Sequence, residues 1–190
     1  YLSFCYNDFM DNLKSQILAY SPRTEREASD KALILCCLEK FPDVLTRENV
    51  ICHFTASNWI INPSHTKTLM IYHNIEQMWM WTGGHADGES DLLKVALREA
   101  EEETGLRCVF PISREIFSLE VFAVPPHVRK GKFVSSHLHL NCSFLLEADE
   151  QELLHVKPDE NSGVRWVDFE EVLNSVDRGV MSPHYKNLIK

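Results

Sequence analysis

The stretch that decides the fold runs from Gly83 to Leu106, GGHADGESDLLKVALREAEEETGL. Leu93, Ala96, Leu97 and Ala100 fall at i, i+3, i+4 and i+7, which predicts a helix from about Ser90 to Thr104 with one apolar face against a sheet. Glu99, Glu102 and Glu103 repeat the i, i+3, i+4 relation on a neighbouring face, so three carboxylates converge on one patch. Gly105 is the natural C-terminal cap, which leaves Glu101, Glu102 and Glu103 crowding the negative end of the helix dipole. Each misplaced charge costs roughly 0.3–1 kcal/mol, and the Glu99–Glu103 repulsion adds a few tenths. A solvated acidic face is the plain alternative. A divalent cation would offset the cost, and clustered hard oxygen ligands suit magnesium or manganese rather than zinc.

The glycines stand at fixed offsets on either side of this helix, and the whole pattern resembles the Nudix box: Gly, five residues, Glu, seven residues, Arg-Glu, an apolar residue, any residue, Glu-Glu, any residue, Gly, apolar. From Gly84 the chain supplies Ser90 in the first Glu slot, then Arg98-Glu99, Ala100, Glu102-Glu103, Gly105 and Leu106, so that eight of the nine specified positions match. The resemblance implies a Nudix-like α/β/α sandwich around a mixed β-sheet and hydrolysis of a nucleoside diphosphate linked to another group. It implies that Glu99, Glu102 and Glu103 bind Mg2+ or Mn2+ with the Gly83 carbonyl, and that Arg98 holds a carboxylate in place. Glu99 is a candidate general base, and Glu160 in Pro158-Asp159-Glu160-Asn161 is the candidate from a later loop. Ser90 departs from the box, although Glu89 precedes it. Serine there is a sound N-cap with Asp91 in the first turn, so the helix start does not need the missing glutamate.

Upstream, residues 51–61 and 66–73 are rich in β-branched and apolar side chains, and Asn62-Pro63-Ser64 between them reads as the turn of a hairpin. Residues 78–81 lead into the glycine pair. Phe9, Leu13 and Ile17 predict an amphipathic helix from Asp8 to about Tyr20. Thr24 with Glu27 forms a capping box for a second helix that stops at Pro42. Downstream, residues 116–124 and 134–146 look like strands. Asp168 with Glu171 caps a short helix, stapled by Val167 and Val172, and Ser182-Pro183 opens a last helical turn. This order predicts an α/β (α+β) domain over residues 49–190 with an N-terminal helical extension, residues 1–48, packed on it or serving a homodimer.

Four side chains outside the box are substrate candidates. His137 and His139 share one face of a strand with Asn141 and Ser143, alternating with Leu138, Leu140, Cys142 and Phe144; that polar face lines a cleft or meets solvent. His85 follows the glycine pair closely enough to donate to phosphate. Arg129, with Lys130 and Lys132, forms a compact basic loop that either clamps phosphate or is a solvated turn. Trp79 and Trp81 are read as core or interface packing, with stacking on a base as the alternative.

The balance of 28 acidic against 19 basic residues, a net charge of −9, argues against nucleic-acid backbones and anionic membranes as partners. It favours a small nucleoside diphosphate derivative approached through bound cations. Six scattered cysteines without CxxC spacing read as small core residues in a reducing cytoplasm. The rival function is a nucleotide-sensing module with the same fold and no turnover; an isopentenyl diphosphate type isomerase would need a different motif. Val121–Val124 stand where related hydrolases carry a proline or tyrosine that marks substrate, so the leaving group stays open.

Overall fold

Asn62 sets the first hairpin. Its Oδ1 accepts from the backbone N–H groups of Thr66 (2.9 Å) and Lys67 (3.0 Å), closing an Asx-type turn between β1 (Cys52–Ile61) and β2 (Lys67–His73). The computed structural model describes residues 2–129 and 131–175, with side chains from residue 10 to 173. Every residue of β1 is buried, the signature of a strand covered on both faces. From β2 the chain turns through β3 (Met78–Met80), which pairs back on β2, into β4 (Thr82–His85). β4 runs antiparallel to β1: Ala86 N–H donates to Phe54 O, and Gly83 lies against Ala56 and Ser57.

The helix α3 (Leu92–Thr104) follows, then β5 (Val109–Pro111) and β6 (Ser118–Val124). A small hairpin of β7 (His127–Arg129) and β8 (Lys132–Val134) precedes β9 (His137–Ala148), β10 (Asn161–Asp168) and α4 (Phe169–Ser175). β6 and β5 pair antiparallel with opposite ends of β9. β1 and β9 run parallel, because Leu138 N–H donates to Ile51 O while Thr55 meets Asn141 and Ser57 meets Ser143 further along both strands. The sheet is therefore mixed, in the order β10-β2-β1-β9-β5 with β3, β4 and β6 paired on β2, β1 and β9.

The described residues form two compact units. One holds the chain up to Ser57 with Gly83–Ala96 and Arg114–Phe144; the other holds Asn58–Thr82, Leu97–Ser113 and the chain from Leu145. In the first unit α1 (Leu2–Ala19) begins six residues before the expected Asp8 and buries Leu13 and Ile17. Lys31 Nζ donates to Leu18 O and Tyr20 O, satisfying carbonyls that its C-terminus leaves open. α2 (Glu25–Lys40) has Thr24 as N-cap, accepting from Glu27 N–H at 3.1 Å. The Glu27 carboxylate reaches past the cap and accepts from Arg23 N–H instead, a variation on the expected box. α2 packs on β6, where Asp30 accepts from Val121 N–H and Arg23 donates to Phe117 O.

In the second unit β10 pairs with β2 along its length, with a bulge between Asn161 and Gly163. The sequence reading left out β10, β5 and the β7–β8 hairpin. Ser162-Gly163 has poor strand propensity and β10 is only partly buried, so it lacks the apolar alternation that marks a strand. Gly163 is needed because an added Cβ would stand 2.9 Å from the Trp79 ring. Trp79 packs edge-on against Tyr72 beneath the Arg165 guanidinium, and Trp81 is buried against Trp59. Val167 and Val172 are buried as expected of a staple, while Glu171 pairs with Arg165. The expected helical turn at Ser182-Pro183 lies outside the described residues. Cys37, Cys52 and Cys142 are buried, but Cys108 is exposed rather than part of the core. No described helix is long and apolar enough to cross a membrane.

On the polar face of β9, His137, Asn141 and Ser143 are buried and His139 is half-buried, so this face turns inward rather than to solvent. Asn141 Nδ2 donates to Ser57 Oγ, Ser143 Oγ and Glu120 Oε2, and Ser143 Oγ donates to the same carboxylate. Burial pushes the pKa of Glu120 above the ordinary carboxylate value of 4.5, with the Asn141 and Ser143 hydrogen bonds opposing it. A carboxyl that keeps its proton longer when folded makes stability fall as pH rises from the unfolded pKa through the folded one. Glu120→Gln is expected to flatten that decline in urea unfolding measured between about pH 5 and about pH 8. A variant whose stability tracks the native chain at every pH would remove Glu120 from the pH dependence.

Candidate metal centre

The turn before α3 is built by two left-handed residues, Asp87 (φ 46°) and Gly88 (φ 92°), with Asp87 held by the Arg47 guanidinium and Gly88 N–H donating to Leu45 O. Glu89 then bridges the helix start, accepting from Asp91 N–H at 3.1 Å and from Lys94 Nζ at 2.6 Å. Asp91, not Ser90, is the N-cap: its Oδ1 accepts from Lys94 N–H and its carbonyl from Val95 N–H. The cap moves by one residue because Glu89 draws the Asp91 amide back into the loop.

Leu93, Ala96 and Ala100 are buried as their spacing predicts, whereas Leu97 is half-buried and Leu92 and Val95 join the buried face. The broader face reaches the last turn, where Glu103 is 3% exposed. Gly105 ends the helix at φ 75°, its N–H donating to Glu101 O, and a Cβ there would meet His155 at 2.8 Å. His155 N–H in turn donates to Thr104 O at 2.7 Å, so the segment after β9 is tied to the helix end.

Glu160 is brought to this end by the following loop. Asn161, fully buried, donates through Nδ2 to Glu103 O at 2.9 Å and accepts from Lys157 N–H through Oδ1. Glu160 and Asn161 N–H groups both donate to Lys157 O, which tightens the turn. Glu99, Glu103 and Glu160 each then offer a carboxylate oxygen, all within 4.8 Å of one another. Glu102 stands apart from this trio: its side chain is 46% exposed and pairs with Lys157 Nζ at 2.9 Å and Arg98 Nε at 3.9 Å. Helical spacing groups three glutamates of α3, whereas the folded chain groups two of them with one from the loop.

Arg98 donates to Glu99 Oε1 at 3.0 Å, and Lys157 reaches Glu160 at 3.1 Å as well as Glu102. Burial raises the pKa of Glu99 against the lowering influence of Arg98. Burial opposes the charge on Lys157, yet Glu102 and Glu160 hold its pKa above the ordinary lysine value. Lys157 and Asn161 escaped the sequence reading; the only hint was their position beside the loop acid. Three carboxylate oxygens fit a hard divalent cation: ligands at about 2.1 Å in octahedral array lie about 3.0–4.2 Å apart, so small side-chain rotations suffice.

The other site candidates lie in the first unit. Gly83 is pressed against β1, with an added Cβ 2.7 Å from Ala56 O. His85, His137 and His139 gather around His53, with ring centroids 4.8–5.2 Å apart in the pairs His53–His85, His53–His137, His53–His139, His85–His139 and His137–His139. His53 was missed, although it alternates with Thr55 and Ser57 on β1 as the histidines do on β9. Burial lowers the pKa of His85 to about 3 and of His139 to about 2, with neighbouring cations and imidazoles adding to it. Arg129 is exposed on the β7–β8 hairpin, and Lys130 lies outside the described residues.

Residues 53–188 match the model of the NUDIX domain, and the chain belongs to the Nudix family. It is 34% identical over 110 residues to the m7GpppN-mRNA hydrolase NUDT17 of Xenopus laevis, a match covering 55% of this chain and 35% of that protein. The chain thus spans about a third of the length of that relative. Similar solved structures include a binary complex of a C. elegans Ap4A hydrolase (15% identity, TM-score 0.48, covering 70% of this chain and 93% of that one). Another is a NUDIX-family hydrolase from Clostridium perfringens (20% identity, TM-score 0.45, covering 73% and 98%).

Proposed function

We propose that this chain is a divalent-metal-dependent hydrolase that cleaves a diphosphate linkage in a nucleoside diphosphate derivative. The observation that carries the reading is the convergence of Glu99, Glu103 and Glu160 on one point at the end of α3. These three would hold Mg2+ or Mn2+, with Glu102 at the rim and the Gly83 carbonyl nominated by the Nudix box alone. A cation bound there neutralises phosphate charge and lowers the pKa of an attacking water. Arg98 orients the Glu99 carboxylate through a charge-assisted bond, and Lys157 does the same for Glu160 while tying Glu102 to the loop. Glu99 and Glu160 are the two candidates for the base that takes the proton from water. On the substrate side, Arg129 is the exposed cation among the four candidates, while His85, His137 and His139 are packed among imidazoles.

The relative's printed activity makes a capped-RNA analogue one member of the test panel, beside dinucleoside polyphosphates and nucleotide sugars. With Mg2+ or Mn2+ the native chain is expected to release a nucleoside monophosphate or diphosphate from at least one of them, and to stop when metal is chelated. Nucleotide binding without turnover across the panel would overturn the hydrolase reading in favour of a sensing module.

A further inference from the structure

The imidazole group of the first unit has the construction of a second metal site, different in chemistry from the carboxylate one. We propose that His53, His137 and His139 bind a borderline-soft divalent cation, Zn2+ foremost, through three imidazole nitrogens with a fourth position open. His53, His137 and His139 each present a ring nitrogen within 4.8 Å of the others. His53 and His137 are oriented for the task. Nδ1 of His53 lies 3.0 Å from Asn49 O and Nδ1 of His137 lies 2.9 Å from Ser135 O. A carbonyl oxygen only accepts, so each Nδ1 carries the proton and each Nε2 presents its lone pair. Hydrogen bonds of this kind from Nδ1 fix the tautomer and ring angle of metal-ligating histidines.

The outward nitrogens meet either no partner or only another imidazole. Nε2 of His53, on a residue 4% exposed, is buried without a hydrogen-bond partner among the described residues. An orphaned acceptor in the interior is unfavourable, and a coordinated cation would satisfy it. Nε2 of His137 faces Nε2 of His139 at 3.3 Å. That distance is long for a hydrogen bond, but two nitrogens bound to one zinc at about 2.0–2.1 Å in a tetrahedron stand about 3.3–3.4 Å apart. Imidazole nitrogen selects zinc and later first-row metals over magnesium, so this site and the carboxylate trio would sort different ions from one solution. Coordination requires the neutral form of imidazole.

The test uses the full chain, stripped with a chelator and titrated with Zn2+ in saturating Mg2+, and then with Co2+ as a spectroscopic substitute. One equivalent of Zn2+ is expected to bind, with a four-coordinate Co2+ absorption spectrum. His53→Ala and His139→Ala should each weaken Zn2+ binding by at least about 100-fold, while Glu99→Gln with Glu103→Gln leaves it unchanged. X-ray absorption of the zinc-loaded native chain needs no variant and should show imidazole scattering with nitrogens at about 2.0 Å. Zinc lost in the glutamate variant but kept in the histidine variants, or an oxygen-only shell, would overturn the proposal, as would failure of the native chain to bind.

Discussion

Glutamine in place of Glu103 is expected to lower kcat/KM on the diphosphate substrate by about two to three orders of magnitude, and to leave the metal-free protein as stable as before or slightly more so. The two effects have one cause. Glu103 lies 3% exposed in the last turn of α3, at the negative end of the helix dipole and with carboxylate oxygens of Glu99 and Glu160 within 4.8 Å of its own. Glutamine keeps the shape and removes the charge, so the metal-free chain sheds a repulsion while the site loses a strong oxygen ligand. Thermal melts with and without Mg2+ should separate them: the native midpoint rises on adding metal and that of the variant moves much less. If Glu103→Gln instead lost stability without metal and its activity fell only in proportion, Glu103 would be a structural residue of the helix end.

The second large effect falls on stability. Gly83→Ala is expected to cost about 1–3 kcal/mol, because the new Cβ would stand 2.7 Å from both Ala56 O and Ser57 Cβ and 2.8 Å from Ser57 Cα. The obstacles are mostly backbone in a fully buried strand, which cannot rotate away as a side chain would. Gly88→Ala is the internal comparison. Its φ of 92° strains any side chain, but nothing lies within 4 Å of the added carbon. Urea unfolding of both should place the Gly83 variant below the Gly88 variant. Equal losses would mean that β4 and β1 separate without cost, and close strand packing would not be the reason for glycine there.

Those elements whose signal is local were legible in the sequence. The β1–β2 hairpin, α2 with its Thr24 cap, and α3 with its buried alanines follow from turn chemistry, capping and 3.6-residue periodicity. What escaped depends on distant chain. β10 is a strand because β2 offers it an edge, not because Asn161–Asp168 alternates. Glu160 was visible as a loop acid, yet its place beside Glu99 and Glu103 rests on Asn161 and Lys157, neither of which has a motif. Helical spacing nominated Glu102, but a salt bridge from a residue 55 positions away turns it to the rim. His53 carries a pattern only when β1 and β9 are known to be neighbours.

The parallel pairing of β1 with β9 also dictates how this chain must fold in time. Thr55 and Asn141, and Ser57 and Ser143, meet although they stand 86 positions apart in the sequence, with no tight turn to bring them together. The β1–β2 hairpin and α3 close short loops and can form within microseconds, whereas the β1–β9 ladder must await the closure of a long one. Its buried side chains reward only the correct register, since a slip of one residue sets polar groups against the apolar face. The late step is thus both slow and selective, and until it completes β1 exposes an unpaired edge to other chains.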